Sequence, residues 1–444
     1  MNTPICDFVR SYIEKNAVRL HMPGHKGKSI LGFEPYDITE IKGADSLYEA
    51  DGIIKESEAN ASKLFGAYTF YSAEGSSLSI KAMMYLTCLY AKKRGEKPRI
   101  LAGRNAHKSF INAAALLGFD IDWIYPSDDE TYLSCNITAE LLEDKLKSML
   151  IKPTAVYITS PDYLGNMVDI SAISSVCRSN NVLLLVDNAH GAYLKFLSDS
   201  LHPMDMGANM CCDSAHKTLP VLTGGAYLHL SNSLPDSVLS EVKAALGLFG
   251  STSPSYLILQ SMDRANLYLD SDFRSELLSL TYKIDILKKT LVDNGYELIG
   301  NEPLKVTIST KSYGYYGYDF AELLAEKGCI CEYCDPDFVV LMFTPQNSED
   351  LCVIEDLLLS IKPKKRICSV PVKAAKPEKI TDVRTAYFSC SEIVSVSDAM
   401  NRVLASACES CPPAVPVVVS GEKIDENAIQ VFRYYGIESC KVIK

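Results

Sequence analysis

Three side chains close together raise the question of chemistry: Ser214, His216 and Lys217 in "DSAHKTLPVLTGG" (213–225), ahead of the Gly224–Gly225 pair. An amine beside an imidazole and small hydroxyls can be ordinary solvated surface. It can also be an amine that condenses with an aldehyde held next to phosphate ligands. Other polar residues stand at the ends of short apolar runs. Asn105 and His107 follow "RILAG", Ser160 to Tyr163 follow "AVYIT", Asp187 and His190 follow "VLLLV", and Ser214 to Lys217 follow "ANMCC". Gly75, Ser76 and Ser77 precede a helical pattern. In a parallel sheet, carboxyl ends of strands collect ligands, so this list points to one cleft.

The elements that must position these residues are legible as alternating strand and helix. Strands are predicted at 99–103, 121–125, 154–160, 181–187 and 225–231, with helices near 107–117, 137–149 and 171–179 and one opening at Ser76–Ser77. Apolar runs without clean alternation, separated by helices, predict a mostly parallel sheet covered on both faces. Residues 255–295 read as helical throughout, and "LKVTIST", "CICEYC" and "DFVVLMFTP" read as strands of a smaller α+β domain. The expected division is an N-terminal segment (1–60), a large α/β domain (61–295), a small α+β domain (296–365) and, after a Lys/Pro-rich connection, a C-terminal α+β unit (380–444).

Composition removes several classes of function. The net charge of −11 leaves no electrostatic footprint for a nucleic-acid backbone. The N-terminus reads as an amphipathic helix with Ile5, Phe8, Val9 and Tyr12 on one side, not as a signal peptide. No apolar run approaches the roughly eighteen residues that span a bilayer. Fifteen scattered cysteines predict reduced thiols and a cytoplasmic setting. The cluster Cys329, Cys331 and Cys334 lacks a fourth ligand for a metal and reads as a cysteine-rich strand, so no metal is expected.

Pyridoxal 5'-phosphate (PLP) is one cofactor that needs this whole set. Lys217 can take its aldehyde, and Asp187 can keep its pyridine nitrogen protonated. His107 can stack on the ring. Ser76, Ser77 and Ser214 can hold the phosphate at a helix N-terminus. Each assignment has a bland counterpart: Asp187 as a helix cap, His107 as a cap satisfied by backbone, His190 and His216 as structural imidazoles.

The string "RLHMPGHKGK" (19–28) resembles the opening signature of the Orn/Lys/Arg decarboxylases, bacterial fold-type-I PLP enzymes acting on basic amino acids. The resemblance continues through 43–67, "GSS" (75–77), "GRNAHKSFINAAALLG" (103–118), "SPDYLGNMVDI" (160–170), "DNAHGAY" (187–193), "SAHKTLP" (214–220) and "STSPSY" (251–256). It implies an aspartate aminotransferase-like large domain and a smaller C-terminal α+β domain, without the N-terminal wing of the long enzymes. It implies that Lys217 bears the cofactor, Asp187 faces its nitrogen and His107 stacks on it. His190 stands near the reacting centre, and Ser76, Ser77, Ser214 and His216 stand at the phosphate. Thr252 or Ser253 reaches the phosphate of the neighbouring subunit, which implies a homodimer. Tyr163 borders the cofactor, and Glu422 is the candidate for a substrate's distal cation. The implied reaction converts arginine, lysine or ornithine to agmatine or a diamine plus carbon dioxide.

Departures from the family pattern stand at Asn188 and Tyr193, at "TGGAYLH" where a glutamine is usual, and at Ala414 in Cys411-Pro-Pro-Ala-Val-Pro. They are expected near the substrate, and they leave substrate choice open. Two further readings stay open: another fold-type-I PLP enzyme, such as an aminotransferase or lyase, and a non-catalytic partner or regulator.

Overall fold

The structure is a computed structural model that describes residues 1–127, 130–369, 371–406 and 413–444. In chain order it begins α1 (Pro4–Glu14), α2 (Ile53–Phe65), β1 (Tyr68–Ser72), α3 (Gly75–Lys93), β2 (Arg99–Gly103), α4 (Lys108–Leu117) and β3 (Asp120–Ile124). There follow α5 (Ala139–Ser148), β4 (Ala155–Thr159), α6 (Ile170–Ser179), β5 (Leu183–Asp187), β6 (Met210–Asp213), α7 (Ala215–Thr218) and β7 (Ala226–Leu230). Helices α8 (Asp236–Leu239), α9 (Val242–Phe249), α10 (Tyr256–Leu269) and α11 (Phe273–Asp293) lead to β8 (Leu298–Ile299) and β9 (Lys305–Ser309). The remainder comprises α12 (Gly317–Ala325), β10 (Tyr333–Cys334), β11 (Phe338–Met342), α13 (Leu351–Ser360), α14 (Val383–Phe388), β12 (Ser391–Ser395), β13 (Leu404–Ser406), α15 (Glu426–Tyr434) and β14 (Ser439–Ile443).

Two compact units emerge. The first holds residues 1–97 and 177–276, the second 98–176 and 277–444. This division cuts across the expected 61–295 boundary, because 98–176 packs with the C-terminal part.

In the first unit the strands run β1-β7-β6-β5. The pair β5–β6 is parallel, with Asp187 level with Cys212. The pairs β6–β7 and β1–β7 are antiparallel. The sheet is therefore mixed where a parallel one was expected at 225–231. The connection from β6 to β7 contains only the one-turn α7 and the Gly224–Gly225 turn, too little chain to cross over and return parallel. Every residue of β5 is buried, as suits a strand covered on both faces. Phe65 packs edge-on to Phe196 and against Tyr227 and the imidazoles of His202 and His229, forming an aromatic centre.

In the second unit β3, β2 and β4 pair in parallel. Helix α4 is capped at its start by His107, whose ring accepts the Ser109 N–H, and is closed by Gly118 in the left-handed region. A four-stranded antiparallel sheet has the order β10-β11-β9-β8, and a three-stranded one β12-β14-β13. One apolar core joins Phe338 and Val340 of the first with Val442 of the second and with Val431 and Phe432 of α15.

Two expectations are corrected. The helical stretch 255–295 is interrupted at 270–272, where α10 ends and α11 begins. In "CICEYC" only Tyr333 and Cys334 form a strand. Among the described residues no helix is long and apolar enough to cross a membrane, and the described cysteines are free thiols.

Candidate active site

The first unit brings most of the expected residues to one place. Lys217 lies in α7, the single helical turn that follows β6, and its Nζ stands 3.0 Å from His190 Nε2. His190 belongs to the turn after β5. The carbonyl of Asn188 accepts the Gly191 N–H, and the Asn188 N–H donates to the Cys212 carbonyl, so this turn is stitched to the end of β6. Asp187 is buried at the last position of β5, with its Oδ1 facing the Ala189 N–H at 3.3 Å and the Cys212 thiol at 3.6 Å.

Opposite, Ser214 donates to Ser76 at 2.8 Å, joining the start of α7 to the first turn of α3. Ser76 and Ser77 head a helix of 19 residues whose N-terminal dipole suits an anion. The loop that holds them is built from the "TGG" departure. Gly75 N–H donates to the Gly224 carbonyl at 2.7 Å, and the Gly225 carbonyl accepts from the His216 backbone at 3.1 Å and its Nδ1 at 3.0 Å. Gly224 has φ of +100°, and a Cβ there would lie 3.0 Å from the Ala73 carbonyl oxygen. The glycine pair thus lets the β6–β7 turn lie directly on the loop that opens α3. His216 is spent on this turn and faces the Gly225 carbonyl.

Thr252 and Ser253 are exposed, beside Ser251, whose N–H is held by Glu74, the N-cap residue of α3. His21 and His25 order their own loop: Tyr12 meets His21 at 2.6 Å, and His25 pairs with Asp37 at 3.1 Å while accepting the Gly27 N–H.

Asn188 and Tyr193, expected near substrate, are fully buried. The Asn188 amide donates to Asp213 at 2.8 Å, so this departure faces the interior of the unit. It also crowds its neighbour: a Cβ at Gly191 would stand 2.0 Å from Asn188 Oδ1.

The remaining three residues lie in the second unit. His107 caps α4, as described. Tyr163 donates to Glu332 at 3.0 Å, in a loop gripped by the buried Lys305, which donates to the Asp162 carbonyl at 3.0 Å. Glu422 is buried and paired with Arg104 at 3.0 Å, and it also accepts the Val419 N–H at 2.6 Å. Burial pushes its carboxyl up and Arg104 pulls it back. Its charge is answered inside the unit, so its surroundings lend no support to a role on a substrate's distal cation. Arg104 follows β2 and also donates to the Pro416 and Val417 carbonyls at 2.9 Å, a clamp that sequence reasoning missed. Ala414, where the family pattern has glycine, adopts φ of +55°, and its carbonyl accepts the Lys108 N–H at 2.9 Å. Cys411 and Pro412 of that string lie outside the described residues.

An amine touching an imidazole, a buried carboxylate at a neighbouring strand end, and paired hydroxyls at a long helix's N-terminus form a donor set that fits PLP. Comparison with known proteins identifies the family. The family model described as "Orn/Lys/Arg decarboxylase, major domain" matches residues 3–299, and the model of its C-terminal domain matches 364–439. The chain is 30% identical to the uncharacterized protein YaaO of Bacillus subtilis, with 97% of this chain and 93% of that protein covered. It is 28% identical to the arginine decarboxylase of the same organism, with the same coverage. The fold is that of the lysine decarboxylase LdcA of Pseudomonas aeruginosa (TM-score 0.79, 17% identity, 99% of this chain and 80% of that one). LdcF of Francisella novicida is similar as well (TM-score 0.78, 17% identity, 100% and 81%).

Proposed function

The chain belongs to the Orn/Lys/Arg decarboxylase family, a family of fold-type-I enzymes, and from that premise we propose that it removes the α-carboxyl group of a basic L-amino acid with PLP. Arginine is the first candidate substrate, by the name of its relatives. The observation that carries the reading is the contact of Lys217 with His190, set beside the Ser214–Ser76 pair.

When bound, the cofactor supplies an electron-poor ring that accepts the electron pair left behind by departing carbon dioxide. The chain's own residues do the rest. Lys217 would hold the aldehyde end, and its amine could move a proton. His190, in hydrogen-bond reach of Lys217 Nζ, takes up or returns that proton. Asp187 would keep a proton on the ring nitrogen, and its burial at the end of β5 would strengthen that ionic hydrogen bond. Ser76, Ser77 and Ser214 would hold the phosphate, with the α3 dipole adding attraction. The stacking role of His107 and the bordering role of Tyr163 rest on their place in the matched motifs.

A homodimer is part of the reading. The loop after α1 exposes large apolar side chains, with Leu20 at 89%, Val18 at 84% and Ile30 at 81% of full exposure. Such exposure of large apolar side chains favours burial against a second copy. The reading is tested by adding PLP and a mixture of arginine, lysine and ornithine to the purified protein. Amine product and carbon dioxide are expected, with the cofactor absorbance band lost in Lys217→Ala. Bound cofactor without agmatine or a diamine would defeat the decarboxylase assignment.

A further inference from the structure

Behind the site lies a second buried carboxylate that the reaction does not use. Asp213, the last residue of β6, is fully buried and gathers four donors from four segments. Its Oδ2 faces His202 Nε2 at 3.0 Å and His229 Nε2 at 3.1 Å. Its Oδ1 faces Asn188 Nδ2 at 2.8 Å and the Cys211 thiol at 3.5 Å. His202, Cys211 and Asp213 offer ligand atoms within 4.8 Å of one another. A metal is disfavoured, because His202 Nδ1 accepts the Met204 N–H, which puts the ring hydrogen on the Nε2 that a metal would need.

The charge state follows from the donors. Burial alone would raise the Asp213 carboxyl, but the two imidazoles hold it far below its ordinary range. Burial pushes His229 down, toward the neutral form. Asp213 itself therefore stays ionised. The other polar or titratable groups facing it, among the described residues, are Cys212 of β6, Tyr227 of β7 and Asp187 of β5. Beyond the imidazoles lie Lys195 and Asp205, an ion pair at 2.6 Å. Burial raises both Cys211 and Cys212 well above the usual thiol range, so they stay neutral.

We propose that Asp213 is a positioning residue for Asp187: through Asn188 it fixes the turn that carries Asp187 and His190, and its charge favours a proton on the nitrogen that Asp187 faces. The proposal rests on the PLP reading above. Asn188 follows Asp187 directly, and its side chain is tied to Asp213 while its backbone is tied to Cys212. The geometry of the acid is thus set from β6, the strand that also leads to Lys217. Electrostatically, Asp187 with a protonated ring nitrogen is one negative charge poorer than without the proton. A second fixed negative charge in a low-dielectric interior favours keeping that proton.

The test measures the PLP dissociation constant from pH 6 to 9 for the wild type and for Asp213→Asn, a change that keeps shape and removes charge. Binding about tenfold weaker is expected at the low end of this range, where the ring nitrogen keeps its proton, with the ratio of variant to wild type falling toward one as pH rises and that proton is lost. A merely structural loss would weaken binding equally at every pH, and a flat ratio, or a ratio of one, overturns the proposal. If Asp213→Asn does not fold, Asn188→Ala decides: it keeps the charge and cuts the tether, so weaker binding at all pH values is expected and wild-type binding overturns the inference. A wild type that takes up no PLP would instead refute the PLP reading on which this rests.

Discussion

Replacing Glu422 by glutamine removes one charge from the buried pair that clamps the segment 416–422 to the end of β2. Both side chains are about 4% exposed, so water cannot replace what is lost. Glutamine keeps an acceptor oxygen, but the bond from Arg104 Nη2 loses its ion-pair attraction and the bond from the Val419 N–H becomes a neutral one. At about 1.5 kcal/mol for each, the loss is roughly 3 kcal/mol. That agrees with the ~3–5 kcal/mol typical of leaving one buried charge without its partner. A probe is already in place. Trp123 is the chain's single tryptophan, and the Arg104 guanidinium lies 5.1 Å from its ring centroid. Urea unfolding followed by tryptophan fluorescence should show an earlier midpoint in Glu422→Gln. The double variant Arg104→Met with Glu422→Leu should recover most of the loss, because it leaves no buried charge unpaired. A Glu422→Gln midpoint within about 0.5 kcal/mol of wild type would refute the reasoning, as would a double variant no better than the single one.

Three other outcomes follow from the same geometry. His190→Ala should lower kcat about a hundredfold while PLP remains bound, measured by steady-state kinetics beside the absorbance spectrum. Asp335 is a buried acid raised by burial to about 6, and its folded form therefore holds a proton that the unfolded chain releases near 3.8. Its contribution is present below pH 4 and lost as pH rises through 6, so Asp335→Asn should flatten that part of the stability–pH curve, read as urea midpoints from pH 4 to 8. Ala414→Gly should stabilise by about 1 kcal/mol, since alanine at φ of +55° carries a steric cost that glycine escapes; a lower urea midpoint would contradict this.

How far the sequence could be read depends on the range of the interactions involved. Strand β2 lies where the run "RILAG" put it, and β5 and α4 agree within two residues, because burial on both faces and local caps write themselves into a short window. The direction of β7 was not legible: a run of buried residues looks alike in either sense, and only the short return from β6 decides. The gathering of Lys217, His190, Ser214 and Ser76 was legible because each stands at a strand end or helix start. The Asp213 network and the Arg104–Glu422 clamp were not, since their bonds to His202 and between Arg104 and Glu422 join residues 11 and 318 positions apart with no spacing rule between them. Asn188 shows the reverse error: a polar residue beside a cofactor acid was read as facing substrate, whereas its side chain turns inward to a carboxylate.

The crowding of Asn188 Oδ1 against Gly191 makes two letters of one short string hostage to each other. A chain that keeps an amide at 188 has no freedom to acquire even a methyl group three positions later. A lineage drifting away from this pattern would have to shorten residue 188 first, and in doing so would leave a carboxylate at 213 short of a donor. Variation at these positions should therefore travel in sets, and a library that changes them one at a time would sample mostly failures.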